Sequence, residues 1–145
     1  MFQRTLAVTF LCVALALPIV ALAGTPLPSA ASGLLQQYRT ELRAQNPAFA
    51  GFDATRGRTL YISEHQAANG AKRSCTTCHM QDPKRQGRSD VGKAIEPLAP
   101  AANAKRFTNA DDTEKWFHRN CRWVLGRTCT TQEKGDFITF LFSLP

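Results

Sequence analysis

The chain has 145 residues, with 18 basic and 11 acidic side chains for a net charge of +7, and five cysteines. This length suits one small domain, and the excess of basic residues is modest and lacks the basic-aromatic motifs of a nucleic-acid binder. A core of this size is marginal unless something else is packed into it or bridges it.

Met1 to about Ala23 reads as a secretory signal peptide. Arg4 supplies the positive start, Leu6 to Val20 is the apolar run, and Ala21-Leu22-Ala23 fits a small-x-small cleavage site. A retained membrane anchor is the alternative, but the run is near the lower length limit for spanning and contains Pro18. Cleavage implies a periplasmic protein of residues 24–145, with no membrane span afterwards. Arg4 is the leader's single basic residue, so 17 of the 18 basic side chains then face the 11 acidic ones, for a net charge of +6. Such a surface suits an acidic redox partner, although solubility alone explains it equally well.

Gly24 to Ser29 is Pro-rich and reads as a flexible mature N-terminus. Ser29 to about Gln45 follows helical periodicity, with Leu34, Leu35, Tyr38 and Leu42 on one face and Asn46-Pro47 as the stop. Asp53 is a good cap for a second helix reaching about Ser63, whose face carries Gly57, Leu60 and Tyr61. His65 to Ser74 is polar, with Asn69-Gly70 as a turn signal.

Cys75-Thr76-Thr77-Cys78-His79 then reads C-x-x-C-H, the attachment pattern for a covalent c-type haem. Each cysteine can add to a haem vinyl group, and the adjoining histidine can reach the iron as proximal ligand. A zinc site and a thioredoxin-like pair are the competing readings. Export favours haem, because this attachment takes place outside the bacterial inner membrane. Small haem cytochromes also place a glycine where an N-terminal helix crosses the last one, the position Gly57 would take.

Gln81 to Pro100 lacks helix or strand periodicity and reads as a loop packed over the haem, with Lys84, Arg85 and Arg88 as a basic group. Thr108 or Asn109 caps a helix running to about Leu125, which Gly126 stops. Thr130-Thr131-Gln132-Glu133 forms a capping box for a last helix to about Ser143, made apolar by Phe137, Ile138, Phe140, Leu141 and Phe142. No strand signal or internal repeat is evident. The fold expected is all-α, a small class I-like cytochrome c domain of four to five helices around one haem.

Cys12 leaves with the leader, and the haem takes Cys75 and Cys78. An oxidising compartment favours a disulfide between the remaining pair, Cys121 and Cys129. The loop it closes is short, so it braces a turn more than the whole fold.

The second axial ligand is not the usual methionine. Met1 lies in the leader, and Met80 adjoins His79 on the proximal side. His65, His118, Asn120, a lysine or no residue remain. At 100° per residue Phe117, Asn120, Cys121 and Val124 share a helix face, and His118 lies about 160° from Asn120. A buried Asn120 needs partners, and iron, backbone or a haem propionate would each serve; periodicity does not choose between them.

Several motifs resemble the sphaeroides haem protein family. They are Cys75 to His79, Gly92-Lys93-Ala94-Ile95-Glu96-Pro97-Leu98-Ala99-Pro100, Arg106-Phe107-Thr108, Glu114-Lys115-Trp116, Arg119-Asn120-Cys121, Leu125-Gly126-Arg127, Cys129-Thr130 and Glu133-Lys134. The likeness runs from about Gly57 to Leu144. It implies His79 and Asn120 as iron ligands, with Cys121–Cys129 as a bridge beside the haem. The related cytochromes c″ carry a histidine in place of Asn120, and His118 departs from the family pattern, which keeps a bis-His electron carrier in view. The resemblance also implies transient oxygen binding, nitric oxide binding and electrons from a dihaem cytochrome c. A nitric oxide dioxygenase or oxygen reductase using the same open iron site is the enzymatic alternative.

Overall fold

Residues 26–145 are described by the computed structural model, and the expected leader lies outside them. Five helices follow in chain order: α1 Ser29–Gln45, α2 Ala54–Ile62, α3 Thr76–His79, α4 Ala110–Leu125 and α5 Thr131–Phe142. Two antiparallel ladders of two-residue strands interrupt them, β1 His65–Gln66 with β2 Lys72–Arg73, and β3 Gly87–Arg88 with β4 Ala94–Ile95. These strands correct the all-loop reading of residues 65–74 and 81–100. Two residues per strand are too few to leave an alternating pattern in the sequence.

The helix ends are chemically specified. The Asp53 carboxylate accepts from the Arg56 N–H at 2.7 Å and starts α2, which ends at Ile62 with Ser63 as its cap. Asn109, not Thr108, caps α4 by accepting from the Asp112 N–H at 2.8 Å. Gly126 closes α4 in the left-handed region at φ 69°, where a side chain would be strained. The Thr130 hydroxyl accepts from the Glu133 N–H at 3.1 Å, and the Thr130 N–H donates to the Glu133 carboxylate at 2.8 Å, completing a capping box for α5.

Helices α2 and α5 cross with their backbones almost touching. A Cβ placed on Gly57 would lie 2.1 Å from the Asp136 carbonyl oxygen, so only glycine fits. Beside the crossing the buried Asp136 carboxylate accepts from the Asp53 N–H at 2.7 Å, from Arg56 Nε at 2.8 Å and from Gln132 Nε2 at 2.8 Å. A buried charge with this many donors is stabilised by them, whereas an unpartnered one would be costly.

Helix α1 is tied to both long C-terminal helices through Glu114, which accepts from the Tyr38 hydroxyl and from Lys134 Nζ at 2.6 Å. Two buried clusters form the core. Ala31, Leu34, Tyr38, Phe117, Cys121, Ile138 and Phe142 make one; Tyr61, Phe140 and Leu141 make the other; and Phe107 and Phe137 pack against both. Among the described residues no helix is long and apolar enough to cross a membrane.

Candidate haem site

The C-x-x-C-H segment is held from three sides. Ahead of it, the Ser74 N–H donates to Thr77 Oγ1 at 3.1 Å, and the Ser74 and Thr76 hydroxyls lie 2.5 Å apart. Behind it, the buried Tyr61 hydroxyl donates to the carbonyls of His79 at 3.0 Å and Met80 at 2.6 Å, which ties α3 to α2. Across from it, Gly87 sits so close that a Cβ there would lie 2.0 Å from the Cys78 carbonyl. Met80 turns the chain away at φ 65° and exposes its side chain, as its place next to His79 requires.

The three motif side chains are uncharged. Burial pushes the Cys75 thiol up to about 12 and raises Cys78 as well, and both cysteines are free. Burial, and then the nearby Arg106 charge, lower His79 to about 4, so its imidazole is neutral at physiological pH and able to donate to a metal.

The facing wall is α4. Trp116, Phe117, Asn120, Cys121, Trp123 and Val124 all line the same cavity as Cys75, Cys78 and His79. Asn120 is not buried against protein, as its place on an apolar helix face suggested. It is exposed on the cavity wall, and its amide makes no hydrogen bond among the described residues. Phe117 and Cys121 on the same face pack in the core with α1 and α5, while Asn120 lies where α4 borders the cavity. Cys121 and Cys129 form the expected disulfide, with Cα atoms 5.5 Å apart, and both residues line the cavity.

Of the other candidate ligands, Lys93 and Lys105 also line the cavity, whereas the histidines and Met80 do not. His118 is exposed and does not line the cavity. His65 is not in a loose loop; it stands in β1, and its Nε2 lies 3.1 Å from the Leu60 carbonyl oxygen. Met80 is outside the lining as well.

The cavity measures about 830 Å³, within the range of small-molecule and cofactor sites. Leu60, Ile95, Leu98, Phe107 and Phe137 add apolar lining, Lys93, Lys105, Arg106 and Arg119 bring positive charge, and Asp90 and Asp112 bring negative charge. An apolar slot with two free thiols, a neutral imidazole and cations in its lining fits the flat, apolar, twice-carboxylated body of a haem. Zinc fits poorly. No group of three or more His, Cys, Asp or Glu side chains is placed to hold a metal ion among the described residues, and two of the four cysteines are bridged.

Comparison with known proteins agrees. A family model described as a domain of unknown function, DUF1924, matches residues 47–141. The cytochrome c-type protein SHP of Cereibacter sphaeroides is 47% identical over 89 residues, covering 61% of this chain and 69% of that protein. The chain belongs to the sphaeroides haem protein family. Its cofactor is one haem c, and its fold is the small, mostly helical cytochrome c fold with one disulfide.

The structure of oxidized SHP, an oxygen-binding cytochrome c, superposes with a TM-score of 0.69 at 40% identity, covering 81% of this chain and 99% of that one. Cytochrome c″ of Methylophilus methylotrophus is 33% identical over 114 residues, covering 78% of this chain and 79% of that protein. Its solution structure, which concerns haem-ligand detachment, gives a TM-score of 0.71, covering 79% of this chain and 93% of that one.

The sequence reading gave no site role to Trp116, Trp123 or Arg106, although Trp116 and Arg106 stand in quoted family motifs. Trp116 and Trp123 flank Asn120 at positions −4 and +3, spacings that bring side chains onto one side of a helix. The Arg73 guanidinium lies over the Trp123 ring at 3.7 Å from its centre, which pins the β1–β2 ladder to α4. Arg106 is the third, and a lone arginine in a loop carries no periodic signal.

Proposed function

We propose that this chain is a periplasmic monohaem cytochrome c that couples electron transfer to binding of a diatomic gas at an iron gated by Asn120. Cys75 and Cys78 carry the thioethers, and His79 is the proximal ligand. The observation that carries this reading is the shared cavity, which Asn120 of α4 lines together with Cys75, Cys78 and His79, while His118, His65 and Met80 are outside the lining.

The haem supplies an iron that changes oxidation state and, when ferrous, has affinity for oxygen, nitric oxide and carbon monoxide. An amide oxygen is a hard, neutral, weak donor that suits ferric iron better than ferrous iron. Asn120 would hold ferric iron better than ferrous iron, and no hydrogen bond to the described residues would oppose its release. From the cavity wall its amide N–H could donate to a bound gas, and Trp116, Phe117 and Trp123 line the cavity beside it. The Cys121–Cys129 bridge stiffens the end of α4 that carries Asn120.

The names of two relatives support this reading: one is described as oxygen-binding, and the other is studied for ligand detachment. The donor of electrons is a redox protein, by family resemblance a dihaem cytochrome c. Gas binding without turnover is the expected behaviour; sustained consumption of oxygen or nitric oxide with a reductant would make it an enzyme.

Two substitutions test the gate. Asn120→Ala is expected to give a high-spin spectrum in both oxidation states. Asn120→His is expected to stay low-spin on reduction and to bind carbon monoxide poorly. A ferric Asn120→Ala spectrum identical to that of the native protein would contradict the assignment.

A further inference from the structure

Arg106 is a positive charge in no ion pair among the described residues, with only the more distant Glu96 charge opposing the effect of burial on it. The guanidinium is about half buried and lines the haem cavity, and burial lowers its pKa. Three other cations that contact long helices are ion-paired: Arg56 with Asp136 at 2.8 Å, Arg127 with Glu133 at 2.6 Å and Lys134 with Glu114 at 2.6 Å. Arg106 makes no ion pair among the described residues. Its Nε donates to the Pro97 carbonyl at 2.8 Å and its Nη2 to the Glu96 carbonyl at 2.6 Å, which leaves Nη1 uncommitted among the described residues.

Carbonyl oxygens orient a guanidinium but do not neutralise it. Removing such a charge from water is unfavourable unless an anion meets it. The chain also spends backbone strain on the placement. Phe107, the next residue, is a non-glycine at φ 59°, in the left-handed region. That turn sends Phe107 into both core clusters while Arg106 stays on the cavity wall. The Asn103 amide donates to the same Pro97 carbonyl at 3.3 Å, so the segment is held at the point where Arg106 is fixed. Backbone strain persists where the surroundings over-determine it, commonly at functional positions.

A haem brings two carboxylates into a cavity lined by the cations Lys93, Lys105, Arg106 and Arg119 and by the carboxylates of Asp90 and Asp112. Of the cations, Arg106 is the one anchored at two carbonyls, so its orientation is set before the ring arrives. From this juxtaposition we infer that Arg106 is the anchor for one haem propionate, fixing the ring's carboxylate edge against the segment 96–106. This rests on the cavity being the haem site with His79 as proximal ligand. Arg106 acts here as a positioning residue. A fixed cation also offsets the propionate charge near the iron, so its loss should favour the ferric state.

The test compares haem-loaded native protein with Arg106→Gln, Arg106→Lys and, as a distant charge control, Arg58→Gln. Arg58 is exposed and lies away from the haem cavity. Resonance Raman spectra report the propionate bending bands and the iron–ligand bands separately, and a redox titration reports the potential. The inference predicts that one propionate band shifts and the potential falls in Arg106→Gln. It also predicts that Arg106→Lys keeps most of both, and that Arg58→Gln changes neither. Unmoved propionate bands in Arg106→Gln, with only a lower melting temperature, would overturn it and leave Arg106 as a clip on the 96–97 carbonyls. If Arg106→Gln does not retain haem, Arg106→Lys decides by the same bands: a retained native signature supports the anchor, and a lost one in a stable protein overturns it. Absence of covalent haem in the native protein would instead overturn the site itself.

Discussion

The crossing of α2 and α5 and the wall formed by residues 87–107 are built in opposite ways. At the crossing, the chain's own atoms specify one another. Gly57 is pressed against the Asp136 backbone, and Asp136 is satisfied by three donor residues. Along the wall, the chain is held by local turns and loop bonds: a two-residue ladder, the Ser89 N–H to the Lys93 carbonyl at 2.8 Å, the Leu98 and Ala99 N–H groups to the Pro83 carbonyl at 2.8 and 2.9 Å, the carbonyl bonds of Arg106 and Asn103, and a left-handed Phe107. Its side chains face a cavity more than they face each other. The crossing is therefore a frame that the polypeptide completes by itself, whereas the wall is shaped to a group that the polypeptide carries.

Breaking the frame should have the largest effect. Gly57→Val would force the helices apart and is expected to cost about 3 kcal/mol or more, seen as a large fall in the denaturation midpoint. Whatever folded protein remains should keep the native haem spectrum. A changed spectrum at undiminished stability would mean that frame and site are not separable in this way.

The disulfide joins the two regions, because Cys121 packs in the core and also lines the cavity. Cys121→Ser with Cys129→Ser should lower stability by about 2 kcal/mol, as expected for so short a loop. It should also alter the spin state or potential, since the end of α4 bearing Asn120 loses its brace. If neither spectrum nor potential moves, the bridge is structural only.

The smallest effect lies at the exposed start of α5. The Arg127 guanidinium, through its hydrogen bonds, holds the Glu133 carboxyl below its ordinary range. Its stabilising effect is therefore present above the ordinary glutamate pKa and is lost as pH falls through the lowered one. The pair is partly exposed, so solvent reduces its worth to about 0.5 kcal/mol. Glu133→Gln should slightly flatten the acid limb of a stability–pH curve and leave the haem spectrum untouched.

The frame was legible in the sequence because its signals are local. Asp53, Asn109, Gly126 and Thr130 mark helix ends through their own capping chemistry, and the apolar periods of α1 and α5 point to a core. The C-x-x-C-H motif was legible because covalent attachment demands fixed spacing. The wall was less so. Its ladders are too short for periodicity, and Arg106 and Trp123 owe their positions to partners distant in sequence. Asn120 illustrates both sides: its helical position was readable, but its exposure on the cavity wall followed from where α4 borders the cavity, which periodicity does not report.

The central claim is that Asn120 gates the iron, and an absorption spectrum of the purified haem-loaded protein tests it most directly. The protein is examined ferric, then reduced with dithionite, with and without carbon monoxide. A low-spin ferric spectrum that becomes high-spin on reduction and readily takes up carbon monoxide is the predicted result. A ferrous spectrum that stays low-spin and ignores carbon monoxide would contradict the account, leaving a simple electron carrier with a strong sixth ligand such as His118.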